Sequence, residues 1–332
     1  MARMEEREAG DAAALDALLK SSDTPFVIRG LVDHWPLVQA GKRSGREARD
    51  YLVQHARKRP FTVSLGPPGH NGRLFYDAEM EMNFQTARGE LAAIMKGIDD
   101  NEERENPPTI YLTSVDVHDY FEGLHEANHV DLGTREPITS IWIGTRTVVA
   151  AHNDFPDNLA CCAVGRRRFT VFPPDQFRNL YLGPIDNTPA GRAVSMVDFH
   201  DPDLEAHPRF AEAIKHALVA DLEPGDAVFV PSLWWHHVEG RDRFNAMINY
   251  WWRDTPRWLG QPQDALNHAI LAVRDLPDDE KATWRALFDY YVFENGDDVA
   301  SHIPAGKRGI LERLTPESAN RIRTFLMRTI NQ

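Results

Sequence analysis

Val148-Val149-Ala150-Ala151-His152-Asn153-Asp154-Phe155-Pro156-Asp157-Asn158 sets an apolar, strand-prone run against an abrupt polar and acidic cluster. Side chains alternate between faces in an extended strand, so His152 and Asp154, two apart, point the same way. An imidazole and a carboxylate on one face make two thirds of the 2-His-1-carboxylate set that holds non-haem Fe(II) with open coordination positions. The missing ligand is on offer in Gly225-Asp-Ala-Val-Phe-Val-Pro-Ser-Leu-Trp-Trp-His236-His237-Val238: a turn, a short apolar run, then two histidines. Alternation sends His236 and His237 to opposite faces, so one of the two points inward.

A His-x-Asp triplet is weak by itself in a chain with 14 histidines, and His129-Val130-Asp131 is a second one. It lies in the polar segment Glu126 to Glu136 with no β-prone run entering it, and no metal role is expected there.

A length of 332 residues suffices for one large domain or two small ones, and 42% hydrophobic with 26% charged residues is ordinary for a soluble globular chain. A formal charge of −13 argues against nucleic acid as a main partner, because phosphate binding needs a basic face. Cys161 and Cys162 are adjacent inside an expected strand, which leaves no disulfide framework. Neither a signal-peptide core nor a run of about 18 apolar residues is seen, so no membrane role and a reducing cytoplasm are the expectation.

Outward from the opening stretch, closely spaced strands are expected over Ile138–Gly144, Thr147–Asp154, Asn158–Val164, Arg167–Phe172, Ala227–Pro231, Trp235–Glu239 and Phe244–Trp252. Short strands parted by Gly and Pro turns suggest an antiparallel sandwich or barrel. Between Pro173 and Glu223 lies a long polar insertion with a helix expected over Phe210–Leu222. Upstream, helices are expected at Asp11–Leu19, Gly45–Ala56 and Phe84–Ile98, the last capped by Asn83, with strands at Thr24–Gly30, Phe61–Leu65 and Pro108–Ser114 and a buried Trp35 between. Downstream the chain turns helical: Asp264–Val273, Asp279–Val292, and a last helix opened by Thr315-Pro316 and running to Ile330. Residues 1–256 are therefore read as one domain with N-terminal α/β elements, and 257–332 as a helical region able to pair with a second copy.

These pieces, in this order, resemble the cupin-like branch of the JmjC 2-oxoglutarate oxygenases, in particular those members that hydroxylate protein asparagines. The likeness runs through Pro25–Pro36, Tyr111-Leu112, His152-Asn-Asp154 with Asn158, and Gly165-Arg-Arg-Arg-Phe-Thr-Val-Phe-Pro-Pro-Asp-Gln-Phe177. It continues through Val197–Asp203, Pro224-Gly-Asp226, Trp234-Trp-His-His237 and Asn249-Tyr-Trp251. The resemblance implies a double-stranded β-helix (a cupin or jelly-roll core), the cofactors Fe(II) and 2-oxoglutarate, and hydroxylation of a protein, peptide or small molecule. It also implies His152, Asp154 and His236 as the catalytic iron ligands.

Arg167 stands where the family places a lysine that fixes the far carboxylate of 2-oxoglutarate; a guanidinium binds a carboxylate bidentately, as an ammonium cannot. Arg166 and Arg168 alternate away from it. Tyr111 resembles the tyrosine sharing that carboxylate, and Asn158 and Asn249 match amides near the metal. Val149 replaces a threonine, which leaves Thr147, two residues earlier on the same face, as the hydroxyl candidate for the co-substrate.

Overall fold

The computed structural model describes residues 1–330. The chain forms two compact units, Met1–Arg253 and Asp254–Gln332. All the strands among the described residues lie in the first: β1 (Ala2–Arg3), β2 (Glu5–Glu6), β3 (Phe26–Ile28), β4 (Phe61–Gly66), β5 (Gln85–Gly89), β6 (Thr109–Asp116) and β7 (Ile138–Gly144). They continue with β8 (Thr147–Asn153), β9 (Asp157–Val164), β10 (Arg167–Phe172), β11 (Leu218–Leu222), β12 (Ala227–Val230), β13 (Trp235–Gly240) and β14 (Asn245–Trp252). They form a five-stranded sheet in the order β1-β11-β10-β13-β8 and a nine-stranded sheet in the order β2-β3-β12-β9-β14-β7-β6-β4-β5.

From β7 to β10, and again from β11 to β14, successive strands switch between the two sheets. Two antiparallel four-strand faces result, β8-β13-β10-β11 and β7-β14-β9-β12, which is the double-stranded β-helix. Period-2 alternation explains why its strands read as almost unbroken apolar runs. Leu159, Cys161 and Ala163 of β9 pack outward with the N-terminal helices, beside Ala227 and Phe229 of β12. Ala160, Cys162, Val228 and Val230 pack inward, against Phe169 and Val171 of β10 and Val238 of β13. Both faces of the larger sheet are covered, so neither face of its central strands has a polar requirement. The outer face of the smaller sheet is covered by the insertion, where Phe172 and Trp235 meet Leu180, Val197 and Phe210.

Several expectations need correction. The helix over Phe210–Leu222 stops at His216; Leu218–Leu222 is β11, which runs antiparallel to β10 with Arg167 opposite Leu222. The β-branched Val219 and an open sheet edge decide that segment, where periodicity alone could not. Phe84–Ile98 divides at Gly89 into the edge strand β5 and a helix over Leu91–Asp99. Asn83 caps no helix: its side chain accepts from the Phe75 amide and donates to the Arg73 carbonyl. In the second unit the helices are Pro262–Val273, Asp278–Phe288 and Pro316–Ile330, with a π-helical turn over Asp289–Glu294.

Trp35 is fully buried where the helix Pro36–Arg43 begins, and its indole N–H donates to the His129 carbonyl at 3.1 Å. Trp35→Ala should lower stability by about 3–5 kcal/mol, the range for emptying a buried aromatic site. Urea denaturation checks this; a loss under about 1 kcal/mol would show that this helix is not keyed to the barrel through Trp35.

Candidate metal centre

His236 pairs with His152 across the antiparallel strands β13 and β8, and their rings lie 4.4 Å apart. Asp154 follows β8 directly, and its Oδ2 is 3.5 Å from His236 Nε2. One potential ligand atom from each of the three residues lies within 4.8 Å of the others. Alternation along β8 would not by itself deliver this. Val149 faces inward, so His152, three residues on, would face outward on a regular strand. The register shifts here: Val238 is opposite Val149 and His236 opposite His152, so two residues, Ala150 and Ala151, span the distance that His237 alone spans on β13. This β-bulge turns His152 back into the barrel.

The tautomers follow from the backbone. His152 Nδ1 lies 2.9 Å from the Ala150 carbonyl and His236 Nδ1 lies 3.1 Å from the Trp234 carbonyl. A carbonyl only accepts, so each Nδ1 carries the proton and each Nε2 presents a lone pair. The loops holding the ligands are stitched together: the Leu233 amide donates to the Asp154 carbonyl at 2.8 Å, the Ser232 amide donates to Asp157 Oδ1, and the Ser232 hydroxyl donates to the Phe155 carbonyl. Burial, aided by the His236 charge, pushes the His152 imidazole down to about 4. Burial works to raise Asp154, but the His236 hydrogen bond and the positive groups around it outweigh that and hold its carboxyl at about 2. His152 is therefore neutral and Asp154 ionised near neutral pH, the forms in which an imidazole and a carboxylate hold a divalent cation.

The cavity at this centre is lined also by Tyr111, Val149, Asn158, Arg167, Asn249 and Trp251. Arg167 is 1% exposed, and none of its three side-chain nitrogens has a hydrogen-bond partner among the described residues. Buried donors are seldom left unmatched, least of all charged ones. An anion entering the cavity would meet these donors. Its neighbours behave otherwise: Arg166 pairs with Asp242 and Arg168 with Asp221 on the far side of the strand. Burial raises the Tyr111 phenol and the adjacent Arg167 guanidinium offsets part of that, so the hydroxyl stays protonated beside the cation.

Asn249 donates to Asn158 Oδ1 at 3.2 Å and accepts from the Trp142 indole at 2.8 Å, which fixes both amides in the wall. Thr147 is buried opposite Gly240 and is not among the lining residues. His237 points to the other face and stacks on Phe199 at 4.4 Å, with neither ring nitrogen hydrogen-bonded among the described residues. His129 and Asp131 lie at a different cavity, with His118 and His125.

Residues 12–257 match the cupin-like domain family, and the chain belongs to it. It is 28% identical over 232 residues to lysine-specific demethylase 8 of Xenopus tropicalis, covering 69% of this chain and 48% of that one. It is 28% identical over 170 residues to human HSPB1-associated protein 1, covering 49% of this chain and 34% of the relative. To tRNA wybutosine-synthesizing protein 5 of Danio rerio it is 32% identical over 105 residues, 32% of this chain and 29% of that one. The chain thus matches about half the length of the first of these and about a third of the others.

The buried imidazoles make metal-free stability depend on pH. His152 falls from 6.5 to about 4 and His237 from 6.5 to about 3, in both cases chiefly through burial. The unfolded chain then binds more protons than the folded one below about pH 6.5, so stability is full above that value and drains as pH falls toward 4. The urea midpoint of metal-free protein should drop between pH 7 and pH 5, with a shallower drop in His152→Gln. A midpoint unchanged over that interval would contradict the burial of these rings.

Proposed function

We propose that this member of the cupin-like family is an Fe(II)- and 2-oxoglutarate-dependent oxygenase that hydroxylates a C–H bond of a protein, peptide or small molecule. One observation carries the reading: the ligand set of His152, Asp154 and His236 shares its cavity with the unmatched guanidinium of Arg167. Three protein ligands, rather than four, leave positions for a chelating co-substrate and O2. When bound, iron and 2-oxoglutarate supply the oxidising power: the keto acid is decarboxylated to succinate and CO2 while one oxygen atom of O2 enters the substrate.

The protein's own groups do the placing. His152 and His236 are held with Nε2 forward by the Ala150 and Trp234 carbonyls, so neither ring need turn before it coordinates. Asp154 supplies the one negative charge. Arg167 offers a planar fork to the far carboxylate of the co-substrate, with the Tyr111 hydroxyl beside it. Indoles of Trp142 and Trp251 meet edge to face at 5.9 Å in the cavity wall. The demethylase names of relatives fit the same chemistry, because hydroxylating an N-methyl carbon gives a hemiaminal that sheds formaldehyde. Formaldehyde among the products would mark that route.

In the second unit, the helices Pro262–Val273 and Asp278–Phe288 contain no buried residue, while Leu271 and Phe325 are 76% and 65% exposed. We assign this apolar surface to a second copy of the chain. A monomer in light scattering at micromolar concentration would end the assignment.

Anaerobic addition of Fe(II) and 2-oxoglutarate should give a weak visible charge-transfer band, and His152→Ala should lose both the band and O2-dependent succinate release. Unchanged turnover in that variant would refute the ligand set. Arg167→Met should raise the KM for 2-oxoglutarate at least about a hundredfold and Arg167→Lys about tenfold, as a charged bidentate contact is removed or halved. Equal KM values in all three proteins would detach Arg167 from the co-substrate.

A further inference from the structure

The insertion between β10 and β11 folds part of itself against the metal centre. Leu182 bridges Ser195, the Gly183 amide donates to the Val194 carbonyl at 2.9 Å, and the Ser195 amide donates to the carbonyl of Ala151 in the β8 bulge at 2.7 Å. The hairpin is tied on its other side too: the Tyr76 hydroxyl donates to the Asn187 carbonyl at 2.5 Å, and Val194 packs with Phe75, Tyr76 and Ala150. Ala190 of this hairpin lines the same cavity as the ligands. Two residues on, Arg192 holds its guanidinium carbon 3.8 Å over the ring centre of Phe155, the residue next to the ligand Asp154.

Arg192 is half-buried, and among the described residues its guanidinium makes no ion pair and no hydrogen bond. That sets it apart from Arg73, Arg166 and Arg168, each matched to an aspartate. Its charge is felt at the centre, where it lowers both His152 and Asp154. The cation is thus aimed by a ring stack, seated on a fixed hairpin and left without an anion. Arg167, the one cation in the cavity wall, is committed to the co-substrate in the function proposed above.

We infer that Arg192 recognises the substrate, and that the substrate carries a carboxylate near the carbon to be oxidised. A single planar fork suits one carboxylate better than a phosphate, which calls for several donors. The carboxylate can belong to an acidic side chain of a polypeptide or to a small free acid; the chemistry is shared. The inference rests on the oxygenase reading, because it concerns what enters beside the iron.

The experiment compares iron-loaded full-length protein with two probe sets. One pairs randomised nonapeptide libraries with central Asp or Glu against libraries with central Asn or Gln. The other pairs C3–C8 monocarboxylic acids with their amides. Succinate release above the substrate-free level is measured for wild type, Arg192→Gln, Arg192→Lys and Arg192→Glu, with thermal melts to verify folding. Wild type should favour the acid member of one pair at least tenfold, and which pair responds identifies the source. Arg192→Gln should lose that preference by raising KM for the acid about ten- to a hundredfold with kcat changed far less, and Arg192→Lys should restore part of it. Arg192→Glu should turn the preference toward the amide.

Equal stimulation by acids and amides overturns the inference, as does response to neither set or a preference surviving in folded Arg192→Gln. Substrate-free turnover of 2-oxoglutarate by wild type separates the two levels: present, it upholds the oxygenase while Arg192 fails; absent together with Fe(II) and 2-oxoglutarate binding, it brings down the oxygenase reading and this inference with it.

Discussion

The pairing of His152 with His236 across β8 and β13 is the constraint on which the site depends. Two strands more than eighty residues apart in sequence must adopt one register, and that register must contain a bulge. A slip of one residue would turn every side chain of β13 over and send His236 outward. The bulge performs the same exchange locally and only once, leaving Val149 and His152 both facing inward. Small residues at Ala150 and Ala151 permit the kink, and the hairpin holds it through the Ser195 amide, which donates to the Ala151 carbonyl. The insertion is thereby part of the site's foundation as well as its wall.

Arg167 makes the second demand. A guanidinium 1% exposed, with three nitrogens unmatched among the described residues, costs several kcal/mol when nothing answers it. Arg166 and Arg168 show the ordinary solution, a surface aspartate for each, adopted on the face of the same strand that the barrel does not need. The fold tolerates the expense because β10 lies between β11 and β13 and the surrounding layer is apolar and well packed. Sites of this kind are bought with stability taken from the rest of the core.

Much of this was legible in the sequence. Apolar runs of β-branched residues ending in Gly or Pro located most barrel strands within a residue or two, and His-x-Asp with Trp-His-His pointed to the three side chains that the fold brings together. Opposite-face logic separated Arg167 from its neighbours correctly, since each successive residue of a regular strand must change sides. It could not choose between His236 and His237, because the register that decides lies in the partner strand. Nor could it foresee the bulge, whose signal is no more than Ala150-Ala151. β11 and β5 escaped for a related reason: each takes its structure from an edge it joins, and neither carries a pattern strong enough to announce that edge. Arg192 was missed because an arginine in a polar insertion looks solvated until the hairpin that carries it is seen.

Charge around the centre gives the argument for Arg192 its last step. In a chain of net −13, Asp154 brings one negative charge to this cavity, and Arg167 and Arg192 act on it with one positive charge each. They sum to a single positive charge. A divalent iron raises this to three, and the two carboxylates of 2-oxoglutarate return it to one. One positive charge is left over beside a cavity walled in part by apolar side chains, and an opposite charge is drawn toward it. A neutral substrate would leave that charge standing as water was expelled. A monocarboxylate would cancel it, and the cation still free to meet it is the one stacked on Phe155.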